Sequence, residues 1–197
     1  MLSPDALPPR VARGVRRRAL DADETLFRQG DPATAVFMVE RGRIALRRHL
    51  AHGAAVTLHV ARAGEGFAEA ALFSDRYHCD AVAAAPATVA AIPKRALLDA
   101  MRNDSALASA VMAQLARQVQ ALRAQIELRN VRPARERVFR ALLLAAGGDG
   151  RVTLDRPLKE MAAEIGLTHE AFYRAMAALA ARGRIARAGQ TIAIKRI

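Results

Sequence analysis

The chain has 197 residues, 52% of them hydrophobic and 25% charged, the balance of a globular protein able to bury a core as one large domain or two small ones. Its net charge of +12, with 13 basic and 6 acidic residues from Asn130 onward, favours polyanionic partners, because each phosphate neutralised releases condensed counterions. A single cysteine, Cys79, excludes an intrachain disulfide scaffold, and no apolar run approaches the roughly 18 residues of a membrane span, so no membrane partner is expected.

Residues 1–22 carry five arginines among prolines and no unbroken apolar core. They are expected to be a basic, mobile arm and not a secretion signal, which places the chain in the cytoplasm. Residues 23–102 read as β structure. Short apolar segments (Ala35–Val39, Arg43–Leu46, Val56–Val60) are separated by turn residues at Gly30-Asp31-Pro32, Arg41-Gly42, His52-Gly53 and Gly64-Glu65-Gly66. Strands at spacings near ten residues predict a compact antiparallel barrel or sandwich. A further small apolar run, Ala81 to Ile92, ends at Pro93.

The period then changes to 3.6. After an N-cap at Asn103-Asp104-Ser105, one stripe runs through Leu107, Val111, Leu115, Val119, Leu122 and Ile126, with Gln114, Arg117, Gln118, Arg123 and Gln125 on the other faces. So long a helix over 103–131 with so narrow a seam packs against a second copy or onto its own domain; the pattern favours the copy. Arg132-Pro133 ends it.

Residues 132–197 form a second unit. A helix over Ala134–Ala146 is closed by Gly147-Gly148-Asp149-Gly150, and Arg151–Leu154 reads as a strand. Two helices and a hairpin through Ala188-Gly189 follow. The two helices are the informative part. Met161, Ala162 and Ile165 make one inner face, Gly166 stops the first helix and reverses the chain, and Thr168 caps a second with Phe172, Ala175, Met176 and Leu179 inward. This is a helix-turn-helix, whose second helix enters the major groove of DNA. Thr168, His169, Glu170, Tyr173 and Arg174 are left facing out. An arginine can pair bidentately with guanine and a glutamate can accept from cytosine N4. Arg182, Arg184 and Arg187 nearby suit phosphate contacts that set register without reading sequence. No nucleophile elbow, phosphate loop, metal motif or carboxylate pair argues for an enzyme.

From about Asp23 to Ile197 the chain resembles the cyclic-AMP receptor protein and fumarate-nitrate regulator (Crp/Fnr) family. The resemblance rests on Leu26-Phe27-Arg28-Gln29-Gly30-Asp31, on Val36 to Gly42, on Gly64 to Phe73, on Ala113-Gln114-Leu115-Ala116-Arg117 and on the helix-turn-helix. It implies an α+β architecture: a cyclic-nucleotide-binding-type β-roll (a double-stranded β-helix or jelly roll), a long dimerisation helix and a C-terminal winged helix-turn-helix. The implied activity is transcription regulation, with duplex DNA, a second copy and RNA polymerase as partners and a small-molecule effector pocket in the roll.

Carried over by position, Glu170 and Arg174 match base-reading residues, while His169 stands where arginine is common. In the pocket, Glu69 matches the carboxylate that holds a ribose 2′-hydroxyl, but Ala68 replaces a glycine. His78-Cys79 stands where an Arg-Ser or Arg-Thr pair would clamp a cyclic phosphate. Leu122-Arg123 stands where hydroxyl side chains would meet adenine. A buried cyclic phosphate needs a fixed cation, which a histidine with an ordinary pKa near 6.5 supplies poorly at neutral pH. The candidate pocket of Glu69, His78, Cys79 and Arg123 therefore counts against cyclic AMP, and no cofactor is assigned. His49, His52 and His59, with His78 and Cys79, keep open a ligand-, haem- or redox-responsive sensor whose main role is not DNA binding. No Cys-x-x-Cys or paired-histidine spacing supports it, and no metal site is assigned.

Overall fold

The computed structural model describes residues 7–49, 53, 55–154 and 156–195. They form two compact units, 1–118 and 119–197. The division falls inside the long helix, between Gln118 and Val119, and does not set that helix apart from both domains.

The first unit is an antiparallel roll. Its strands are β1 (Arg16–Leu20), β2 (Thr25–Phe27), β3 (Ala35–His49), β4 (Ala55–Arg62), β5 (Gly66–Phe67) and β6 (Asp80–Pro93). The sheet order is β1-β6-β3-β4, with β2 on β6 and β5 on β3. Arg41-Gly42 is not a turn between strands as the sequence suggested: β3 runs unbroken for 15 residues and shifts register against β6 around Gly42. Glycine at positive φ marks a bulge as readily as a turn. Here φ is +77°, and a Cβ would strike Pro86 O and come within 2.7 Å of Ala87 Cα. No other residue fits.

Alternation along the strands builds two cores. Phe37 points into the roll, where Phe27, Phe67 and Tyr77 form a stack with it; Phe27 and Tyr77 lie 3.8 Å apart between ring centres. Its neighbour Val36 points the other way, onto Leu72, Ile92, Leu97, Leu107 and Val111. The last three come from α2 (Lys94–Asn103) and α3 (Ser105–Asn130), and Asp104 caps α3 by accepting from Leu107 N at 2.9 Å.

The expected mobile arm is a folded element where it is described. A short helix α1 (Pro9–Ala12) buries Val11 completely, and β1 pairs residue by residue with β6 from Arg16↔Ala91 to Leu20↔Ala87. Leu7, Val11 and Leu20 supply the apolar anchors, while Arg17 and Arg18 reach outward to Glu40 and Glu24. Arg18 holds the Glu24 carboxyl below its ordinary range. The arginine density masked three buried residues.

The second unit has α4 (Ala134–Ala145), β7 (Arg151–Thr153), α5 (Leu158–Glu164), α6 (His169–Ala181), β8 (Ile185–Ala188) and β9 (Thr191–Ile194). The strands form a small antiparallel sheet in the order β7-β9-β8, the wing. Its core gathers Val138, Phe139 and Leu142 of α4 with Met161 and Ala162 of α5, Phe172 and Met176 of α6, and Ile185 and Ile192 of the wing; Leu128, near the end of α3, joins it. Among the described residues no helix is long and apolar enough to cross a membrane.

Candidate nucleic-acid interface and effector pocket

The turn between α5 and α6 follows from its residues. Gly166 adopts φ +68°, Gly166 N donates to Ala163 O, and Leu167 N donates to Ala162 O. This is a Schellman termination, which only a residue at ease in the left-handed region completes without strain. Thr168 then starts α6, its Oγ1 accepting from Ala171 N at 3.2 Å, with Glu170 in the first turn, where the helix dipole favours negative charge. Phe172, Ala175, Met176 and Leu179 are buried along one face. Full burial of a side chain the size of Phe172 contributes about 2–3 kcal/mol to holding α6 on α5. What remains outward is one continuous face: Thr168, His169, Glu170, Tyr173 and Arg174 are all exposed. The His169 and Tyr173 rings meet edge-on at 4.4 Å.

The flanking arginines divide. Arg182 and Arg187 are exposed, Arg187 at the tip of the wing, where its Nε donates to Gly189 O. Arg184 does not join them as the sequence suggested. Its guanidinium lies 4.1 Å from the centre of the Phe139 ring and is only partly exposed, so it belongs to the packing of the wing on α4.

In the roll, Ala68 sits at φ +63°, the left-handed turn for which a glycine would be the unstrained residue. Glu69 begins a short 3₁₀ turn, Glu69–Phe73, and its carboxylate faces α3: Gln118 Nε2 donates to Glu69 Oε1 at 2.5 Å and Gln114 Nε2 at 3.2 Å. Gln114 is only 8% exposed. His78 is exposed, while Cys79 is buried, and that burial, helped by Asp80, pushes its thiol above the ordinary value. Arg123 is exposed and belongs to the other compact unit. The side chains that the structure brings to the Glu69 carboxylate are thus two glutamines of α3. His49 meets Asp80 at 3.1 Å and His59 meets Glu65 at 3.5 Å, each a separate pair; His52 lies outside the described residues. Among the described residues no three His, Cys, Asp or Glu side chains converge as metal ligands.

Two family models match the chain, one described as a cyclic nucleotide-binding domain over residues 17–104 and one as a Crp-like helix-turn-helix domain over residues 136–197. The chain belongs to the Crp/Fnr family. It is similar to the cyclic AMP receptor protein of Thermus thermophilus, with 29% identity over 182 residues that cover 91% of this chain and 84% of that one. Among solved structures, a transcriptional regulator of the CRP family from Thermus thermophilus matches at 25% identity and a TM-score of 0.68, covering 90% and 91% of the two chains. FixK2 of Bradyrhizobium japonicum shares the fold at 22% identity and a TM-score of 0.78, over 92% and 93% of the two chains. Crp/Fnr proteins are helix-turn-helix transcription regulators and not enzymes, so the absence of catalytic motifs in the sequence has its explanation.

Two groups of residues escaped the sequence reading of this Crp/Fnr chain. Gln114 and Gln118 looked like the solvent face of α3; their i, i+4 spacing beside the apolar stripe was the signal that they share one inward edge. Arg129 and Arg137 looked like general basic charge, yet both hydrogen-bond carbonyls of the helix-turn-helix turn. Nothing in their local pattern marks this, because their partners lie nearly 30 or more residues away.

Proposed function

We propose that this Crp/Fnr-type regulator acts as a cytoplasmic homodimer that reads a two-fold DNA site through α6, with Glu170, Arg174 and His169 addressing base edges and Thr168, Tyr173, Arg182 and Arg187 the backbone around them. The observation that carries the reading is the exposed face of a capped, well-packed α6, with a carboxylate and a guanidinium one turn apart. Dimerisation draws support from α3, where Met112, Val119, Leu122 and Ile126 are 46–61% exposed at spacings of seven, three and four residues. A stripe of that period is the seam of a paired helix. RNA polymerase is the further partner, as for regulators of this architecture.

Cyclic AMP is the ligand in the name of one relative. In this chain a different effector, or none, fits better: the carboxylate that would take a ribose hydroxyl is engaged by Gln114 and Gln118, and Cys79 is buried. Enrichment from a random-sequence duplex pool, followed by anisotropy titration, tests the main claim. A two-fold consensus bound by a particle of twice the chain mass is expected, with affinity falling steeply as salt rises. Binding that ignores sequence would end the claim, and tight calorimetric binding of cyclic AMP would end the effector reading.

A further inference from the structure

We propose that Arg129 and Arg137 are positioning residues that fasten the helix-turn-helix turn to the end of the long helix, so that α3 sets the pose in which α6 meets DNA. The inference rests on the DNA-reading assignment above. A helix leaves its last carbonyls without intrahelical donors. The Schellman bonds at the end of α5 satisfy Ala162 O and Ala163 O. The next three carbonyls are met from outside by side chains. Arg129, in the last turn of α3, donates from Nε and Nη2 to Glu164 O at 3.3 and 3.2 Å. Arg137, in the first turn of α4, donates from Nη1 to Ile165 O and Gly166 O, both at 3.2 Å, and from Nε to Val131 O at 3.0 Å.

Two guanidiniums thus cover three consecutive carbonyls at the negative end of the α5 dipole, where a cation is favoured and each bond is charge-assisted. Arg137 also ties the chain leaving α3 to the same turn. The side chains lie along the turn itself: a Cβ on Gly166 would sit 3.6 Å from Arg129 Cγ and 3.8 Å from Arg137 Nη1. Gly166 is two residues from the Thr168 cap, so a shift of the turn is a shift of His169 and Glu170. The division of the chain agrees, since residues from Val119 onward, Arg129 included, form one compact unit with α6.

Arginines near a DNA-reading helix invite the simpler assignment of phosphate contacts, and the test must separate the two. The full-length parent first enriches a duplex from a random pool. Affinities for that duplex and for a scrambled one are then measured against salt for the parent, Arg129→Met, Arg137→Met and Arg137→Lys, with melting curves for each. As positioning residues, either Met variant loses affinity for the selected duplex by about tenfold, the weight of one or two charge-assisted bonds, while scrambled binding and the salt slope stay at parent values. Arg137→Lys fails to restore selectivity, because one ammonium cannot reach Val131 O and the Ile165 and Gly166 carbonyls together, which the guanidinium meets from Nε on one side and Nη1 on the other. Arg129 is exposed at a helix end, so its substitution leaves the core intact even if Arg137→Met unfolds. Parent-like selectivity in Arg129→Met overturns the proposal. So does a loss shared by both duplexes with a slope smaller by about 0.9, the mark of a deleted phosphate contact. A parent that enriches no sequence overturns the DNA-reading assignment too, whereas the other two results overturn this one alone.

Discussion

Glu69 and Glu170 show how one residue type serves opposite ends. The family resemblance singles out both, and both stand at the start of a helical turn. Glu170 is exposed on a helix whose backbone is capped and whose apolar face is buried, so its rigidity comes from neighbours that leave its carboxylate open. Glu69 is turned inward and accepts from Gln114 and Gln118. Both donors share Oε1, which leaves Oε2 as the oxygen able to take a ligand hydroxyl, on a carboxylate that α3 already holds in place. Retention of a motif residue therefore says little until its partners are known. A reading site keeps a polar group unspent in the free chain.

The contrast can be broken from either side. The largest effect is expected from Phe172→Ala, which empties the space under α6 and costs about 3–5 kcal/mol. Thermal unfolding should show the C-terminal unit melting early, with DNA binding lost while the aromatic stack of the roll survives. Next comes Arg174→Ala. Selected-duplex affinity should fall by about 1–3 kcal/mol, close to tenfold or a hundredfold, with scrambled binding little changed. Glu69→Gln should leave that selectivity untouched; a matching loss would erase the distinction between the two glutamates.

Gln118→Ala should cost the roll about 1–3 kcal/mol by leaving a half-buried carboxylate short of a donor, read from its melting temperature. The smallest effect concerns Glu65, whose carboxyl is held below 4.5 chiefly by the hydrogen bond from His59, with burial opposing and Arg62 N assisting. A lowered carboxylate contributes stability that is complete above its unfolded value and fades as pH falls through the folded one. The melting-temperature gap between the parent and His59→Leu should therefore be present at pH 6 and shrink as the pH falls below the ordinary glutamate range. Both groups are more than a third exposed, so the gap will be small.

Much of the fold, and the exposed face of α6 proposed to read DNA, could be read from the chain because the cues are local. The glycine stop, the threonine cap and the 3.6-period face of α6 lie within about twenty consecutive residues, and each fixes backbone geometry where it stands. The misses share the opposite property. Gly42 carries the same positive-φ signature in a turn and in a bulge, and only the close approach of Pro86 and Ala87 decides between them. β1 hides its anchors, Val11 and Leu20, among arginines and becomes a strand only because β6 offers an edge. Arg184 reads as surface charge until Phe139 is folded beneath it. Glu69 stood out through the family resemblance, but its glutamine partners come from 45 and 49 residues away.

The pairing of β1 has a practical consequence. Arg16-Arg17-Arg18 is the kind of tribasic run that trypsin-like proteases cut, yet here each residue is held in register against β6 at a sheet edge and its flanks are anchored by Val11 and Leu20. A protease needs several residues free of such pairing, so scission at this point must wait for the edge strand to peel away. When opening and closing are fast relative to cleavage, the cutting rate follows the free energy of that local opening. The arginines most exposed to digestion on paper thus serve as a gauge of how firmly the roll is closed.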